Sequence, residues 1–430
     1  MMSESRNDLL GMVNSQNIDT SLINDVLSKS NAGTVISDKV MEISDIINEI
    51  GNKYKKKIEE LNTLNIIVAG KTGVGKSTLI NSVFKGNLAQ TGVGKPVTQS
   101  TKAITKPGVP LKVYDTKGFE LGKDAQEKVK VDIAKLIKDG NKNYNINEMI
   151  HCIWYCISTV SNRIEPEEIE WLRELTAIDG VKQVPVIIIL TQAFSKKNAD
   201  IMRKMIMNEG LNVIGVIPIL AQDYEINEEY VAKAYGLEEL IQLMSKELPN
   251  KLQATIQNVQ IASINLKKKY ANRIVKSCAV ATLIEGFVPI PLTDSLMMIP
   301  TQVSMLVSIT VAFGISVDKG TLATAITSVL GTKGATITGK AISKQLAKLL
   351  PGGSIIGGAI SGTTASLVTI ALGQSYIKIM EVVCRGELKE SEIGTDKGKR
   401  MFEQSFKERL KANKNMSKKD ILNGNLNTDY

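Results

Sequence analysis

Eight residues, Gly70-Lys71-Thr72-Gly73-Val74-Gly75-Lys76-Ser77, constrain this chain more than any other feature. They match GxxxxGK[ST], follow the apolar strand-like run Asn65 to Ala69 and precede the helix-like run Thr78 to Phe84, the setting in which such a loop wraps a phosphate. Its glycines let consecutive backbone N–H groups turn toward one anion, and the helix that follows adds the positive end of its dipole. Lys76 can then bridge β- and γ-phosphates while Ser77 offers a hydroxyl to Mg²⁺. Gly70, Lys71, Thr72, Gly73, Val74, Gly75, Lys76, Ser77 and Thr78 are therefore the expected nucleotide-binding residues, with Lys76 also catalytic.

The same stretch sets the fold class. From residue 64 to about 250, strand-length apolar runs (Asn65 to Ala69, Leu111 to Tyr114, His151 to Ile157, Val184 to Leu190 and Val213 to Leu220) alternate with amphipathic segments. Such alternation predicts an α/β fold, a doubly wound and mostly parallel sheet covered by helices. Residues 1–60 read as a polar arm and one amphipathic helix, 61–250 as the nucleotide-binding domain, 251–384 as an all-α apolar and basic domain, and 385–430 as a polar Lys/Asn-rich tail, helical over Lys399 to Leu410 and unstructured after it. Four cysteines without a CxxC pair, and a single histidine, leave too few ligands for a His/Cys zinc centre and suit a reducing compartment. Cys152, Cys156, His151, Trp154 and Trp171 are expected to be structural.

Downstream of the loop, Thr91-Gly92-Val93-Gly94-Lys95 repeats its pentapeptide, but Ala89 and Pro96 replace the first glycine and the hydroxyl residue, so it is no second phosphate loop. Thr98, 21 residues after Ser77, can bring a hydroxyl to Mg²⁺ and an N–H to the γ-phosphate. Leu111 to Tyr114 runs into Asp115-Thr116-Lys117-Gly118, a DxxG in which Asp115 can hold the metal shell and Gly118 can donate its N–H to the γ-phosphate.

Together these motifs resemble the translation-factor-related P-loop GTPases, most closely the bacterial Era-like group. The resemblance implies GTP and GDP as ligands, Mg²⁺ as cofactor, Ser77, Thr98 and Asp115 as metal ligands, and Thr98 and Gly118 beside Lys76 in catalysis. Two positions depart from the pattern. Phe119 follows the glycine, where many relatives carry a glutamine that orients the attacking water, which implies slow intrinsic hydrolysis with help from a dimer partner or a cation. Where relatives read guanine with [NT]KxD stands Thr191-Gln192-Ala193-Phe194, so the carboxylate is replaced by a ring. Thr191, Gln192 and, after the strand ending at Leu220, Ala221 are the expected base-side contacts, and an ATP-using P-loop protein stays open as an alternative.

Charge is unevenly spread. Of the net +9, residues 251–384 carry 12 basic and 4 acidic side chains, against 30 and 32 in residues 1–250. Residues 295–317 and 349–377 carry no charge, near the ~20 apolar residues that cross a bilayer. Pro300 interrupts the first and glycines dilute the second, so membrane contact and a helical bundle both remain open. Phe287 to Asp294 and the glycine-rich run that follows resemble the helical domain of unknown function found after some Era-like G domains. Lys267, Lys268 and Lys269 precede the apolar region and are expected to face anionic lipid. Beyond the nucleotide, the expected partners are a second copy of the chain, an anionic membrane surface and an unidentified effector, in the cytoplasm or at the inner membrane. Aromatics make up only 4% and no KH-type GXXG segment stands in a C-terminal βα context, which disfavours nucleic acid and with it a ribosome-associated role.

Overall fold

The structure, a computed structural model, describes residues 43–89, 102–116, 123–285, 300–315 and 362–424. They fall into two compact units, 61–266 and 1–60 with 267–430.

The first unit is built on β1 (Leu64–Gly70), β2 (Lys102–Lys106), β3 (Val109–Asp115), β4 (Cys152–Ser158), β5 (Val186–Thr191) and β6 (Gly215–Pro218), in the order β2-β3-β1-β4-β5-β6. All pairs are parallel except β2 with β3. Every residue of β1 and β5 is buried, because helices cover both faces and each strand then has no solvent side. Alternation within the strands sorts residues between two cores. Leu64, Ile66, Val68, Cys152, Trp154, Cys156, Ile187 and Ile189 face one layer, while Ile67, Ala69, Ile153, Tyr155, Ile157, Ile188 and Leu190 face the other. Phe84 stacks on Trp154 at 5.5 Å in the first, and Tyr155 meets Trp171 at 5.2 Å in the second. Burial pushes the thiols of Cys152 and Cys156 up to about 12, so both pack as protonated side chains. His151 accepts a hydrogen bond at Nδ1 from the Asn65 N–H, 3.0 Å away.

The helices of this unit are α2 (Lys76–Val83), α3 (Lys123–Asn141), α4 (Pro166–Ala177), α5 (Lys196–Asn208), α6 (Leu237–Glu247) and α7 (Gln253–Val259), after α1 (Ile43–Glu59) of the second unit. Three features differ from the sequence reading. The run expected as a strand over Val213 to Leu220 is regular only from Gly215 to Pro218, flanked by single bonds from the Ile214 and Ile219 N–H groups to the Val186 and Leu190 carbonyls of β5. An antiparallel edge strand, β2, precedes β3. A hairpin of β7 (Tyr224–Asn227) and β8 (Tyr230–Ala232) follows β6, its turn fixed by Asn227 Oδ1 accepting from the N–H groups of Glu229 and Tyr230.

The second unit contains α1, most of α8 (Ile264–Glu285), then α9 (Pro300–Phe313), α10 (Gly362–Cys384), α11 (Asp396–Asn413) and α12 (Lys418–Asn423). Pro300 does not interrupt a helix: it is the first residue of α9, where its missing N–H costs nothing. α10 is long and apolar enough to cross a membrane, yet most of it is buried within the protein. Ser366 Oγ donates to the Ala279 carbonyl of α8 at 2.9 Å, and the Thr310 and Tyr376 hydroxyls lie 2.8 Å apart.

Two expectations for this unit are corrected. Lys267 faces inward, its Nζ donating to the Ala312 and Phe313 carbonyls at 3.3 and 3.0 Å, where the last turn of α9 leaves oxygens without helical partners. Lys268 pairs with buried Glu381 at 3.2 Å, beside Lys378 and Arg385, so only Lys269 of the three is exposed. The tail, expected to be unstructured after Leu410, continues through α11 and into α12. Phe402, Phe406 and Leu410 recur at i, i+4 and i+8 and are buried, and Ser417 and Asp420 form a capping box ahead of buried Ile421.

Candidate functional site

In the sheet order, β1 has β3 on one side and β4 on the other, so a crevice opens at the carboxyl end of β1. The loop Lys71 to Gly75 lies there. Gly70, Gly73 and Gly75 have φ of 140°, 76° and 90°, values a side chain disfavours, and a Cβ on Gly70 would collide with the Cys156 carbonyl. Gly75 caps α2 in the left-handed region, which turns the loop into the helix that begins at Lys76. A Cβ on Gly73 would meet nothing within 4 Å, so the loop keeps an open side.

Lys76 is buried, and its Nζ donates to the carbonyls of Gly70 and Lys71 at 2.9 and 3.0 Å, tying the start of α2 back to the beginning of the loop. Burial lowers its pKa from the usual lysine value, and the Asp115 carboxylate opposes part of that shift. Asp115 ends β3 beside Val68, and Thr116 follows it with both N–H and hydroxyl directed at the Val68 carbonyl, at 3.1 and 3.3 Å. Ser77 and Thr78 open α2, half-buried. The structure thus gathers Gly70 through Thr78 with Asp115.

Thr191 and Gln192 join the same site from the end of β5. Thr191 Oγ1 donates to the Val74 carbonyl at 2.5 Å, and Gln192 Nε2 donates to the Gly73 carbonyl at 3.3 Å. Gln192 holds a left-handed backbone, φ 53°, while its Oε1 accepts from Ser158 Oγ at 2.6 Å and its carbonyl from Thr159 Oγ1 at 2.9 Å. These two residues therefore touch the phosphate loop. Ala221 sits after the Leu220–Tyr235 bridge, half-buried against the first core. Thr98, Gly118 and Phe119 lie outside the described residues.

One participant escapes a motif search. Glu168 of α4 is buried, pairs with Lys71 Nζ at 2.8 Å and accepts from Tyr155 Oη at 2.9 Å. Its signal is position: in Pro166-Glu167-Glu168 it alone shares the helix face of Trp171, Leu172 and Leu175, where a solvated acid has no business.

Residues 60–249 match the septin family model. The chain is 32% identical to septin-9 of Rattus norvegicus over 169 residues, 34% of this chain and 29% of that protein. It is 27% identical to septin-12 of Homo sapiens over 187 residues, 38% and 52% of the two. A tRNA modification GTPase, MnmE of Malacoplasma penetrans, is 36% identical over 93 residues, 21% of each. The chain spans about half or less of the length of these relatives. The match to septins overturns the bacterial Era-like assignment, which rested on phosphate-loop and DxxG motifs that mark a nucleotide site and not a lineage. The chain carries a P-loop GTPase domain followed by a largely helical region.

Proposed function

We propose that this chain binds GTP with Mg²⁺ and hydrolyses it slowly, as a switch whose helical unit communicates the bound state to a partner. The observation that carries the reading is the phosphate loop, held open at the carboxyl end of β1 beside Asp115. The hydroxyl of Ser77 and the carboxylate of Asp115 are hard oxygen donors of the kind Mg²⁺ takes together with nucleotide phosphates. Bound Mg²⁺ neutralises charge that builds on the β- and γ-phosphate oxygens. Lys76 adds a cation, which swaps loop carbonyls for phosphate oxygens, and the α2 N-terminus adds its dipole. Thr98 and Gly118 are proposed to meet the γ-phosphate. Phe119 supplies no group to orient water, so unassisted turnover is expected near the ~10⁻⁴ s⁻¹ of small GTPases.

A second copy of the chain is proposed as the source of catalytic help, and an anionic membrane surface and an effector as further partners, with a cytoplasmic or peripheral location. The basic excess of residues 251–384, with Lys269 exposed, supports the membrane reading. Lys76→Ala and Ser77→Asn should each abolish tight Mg²⁺·GTP binding in equilibrium titration while circular dichroism stays unchanged. Wild-type affinity in both would refute the site. Turnover per molecule should rise with protein concentration, and a fast, concentration-independent rate would place the water-orienting group within one chain.

A further inference from the structure

The turn after β5 offers a ring where a purine reader is needed. Its polar backbone is already committed: the Ala193 N–H donates to the Ile219 carbonyl at 3.2 Å, the Phe194 N–H to the Gln192 carbonyl at 2.8 Å, and the Ala193 carbonyl accepts from Tyr235 Oη at 2.8 Å. Lys196 Nζ sits 4.7 Å from the Tyr235 ring centre and braces that tyrosine. What the turn presents outward is Phe194, 40% exposed, tilted against Tyr224 of β7, itself 52% exposed, with ring centres 4.6 Å apart. The pair belongs to the same loop system as the phosphate site, because Thr191 and Gln192, three and two residues before Phe194, hold the carbonyls of Val74 and Gly73.

We infer that Phe194, backed by Tyr224, is the stacking platform for the purine of the nucleotide whose phosphates occupy the Gly70–Ser77 loop. This rests on the proposed phosphate site. The chemistry follows from the side chain. A carboxylate at this position would accept from N1–H and the 2-amino group of guanine; a phenyl ring can accept from neither, but stacks on any base because every base has a π-face. Recognition at position 194 is therefore by shape, and it ignores the 2-amino group. Two exposed aromatics side by side are otherwise an unfavourable surface, and covering one with a base removes apolar area from water.

The test is equilibrium competition on the full chain with GTP, inosine triphosphate, ATP and inorganic tripolyphosphate, the last probing the phosphate site without a base. GTP and inosine triphosphate, which differ only in the 2-amino group, should bind within about threefold, since a site without the acceptor cannot reject its absence. Phe194→Ala should weaken all three nucleotides by about tenfold, the scale of one lost base–aromatic stack, and leave tripolyphosphate unchanged. Phe194→Asp should raise GTP over inosine triphosphate by more than about tenfold. Wild-type nucleotide affinities in Phe194→Ala with tripolyphosphate still bound would overturn the platform, as would a strong wild-type preference for GTP over inosine triphosphate. Failure of wild-type protein to bind tripolyphosphate would overturn the phosphate site itself, a distinct result.

Discussion

The hydroxyl of Thr191 points at the carbonyl oxygen of Val74, 117 residues earlier in the chain, and fixes the apex of the phosphate loop to the end of β5, two strands away from β1 in the sheet. Thr191→Val keeps the shape and removes the donor, stranding a buried carbonyl at a cost of about 1–3 kcal/mol. We expect a lower melting temperature and several-fold weaker Mg²⁺·GTP binding, with Thr191→Ser restoring both. Unchanged stability and affinity in the valine variant would show that the loop holds its form without this bond.

Glu168 ties Lys71 of the loop to Tyr155 of the central sheet. Burial and the adjacent carboxylate push the Tyr155 phenol up, so it stays a donor. Glu168→Gln preserves an acceptor for that phenol but cancels the charge that holds Lys71. Faster nucleotide dissociation in stopped flow, with little change in melting temperature, is the expected split. Glu168→Leu should lose stability as well, because it removes from a dry site the carboxylate that accepts from the phenol.

His151 supplies the chain's one imidazole. Burial lowers its pKa from 6.5 to about 4. The folded state therefore favours the neutral ring, and the unfolded chain binds the extra proton between those values. Its stabilising share is complete above pH 6.5 and is lost as pH falls toward 4, by about 3 kcal/mol in all. Urea titrations of wild type and His151→Asn should differ in slope across that window and converge in their pH dependence above it. Parallel profiles would assign the acid sensitivity to carboxylates.

Lys267 and Lys269 separate folding from lipid contact. Lys267→Gln should lower the melting temperature, since it withdraws a charge-assisted donor from the Ala312 and Phe313 carbonyls. Lys269→Gln should leave stability alone and reduce flotation with anionic liposomes by the ~1 kcal/mol a surface lysine contributes, an effect that salt screens. Absence of flotation for wild type at low salt would argue against the membrane reading.

The central sheet was legible in the sequence because β1, β4 and β5 are buried on both faces and their runs are apolar without a break, and the phosphate loop because its glycines and Lys76 have fixed spacing. The edge strand β2 and the β7–β8 hairpin were not, since Lys102-Ala103-Ile104-Thr105-Lys106 and Tyr224-Glu225-Ile226-Asn227 are short, half-polar and defined by their partners. Lysine runs misled for a different reason. A triplet such as Lys267 to Lys269 spans most of a helical turn, so its members cannot share an environment, and only the neighbours of α8 decide which one turns inward. The roles of Gln192 and Glu168 depend on contacts made 119 and 97 residues away, which no local pattern encodes.

Gly373 in the middle of α10 has Val275 of α8 and Met305 of α9 against it, so closely that a methyl group would meet Val275 Cγ2 at 2.5 Å and Met305 Sδ at 3.1 Å. Positions 275, 305 and 373 are therefore not free to vary one at a time. Any growth at 373 has to be matched by shrinkage at 275 or 305, so Gly373→Ala alone should be damaging while Gly373→Ala with Val275→Ala is tolerated. Three residues far apart in sequence share one allotment of space, and the history of substitution at each is constrained by the other two.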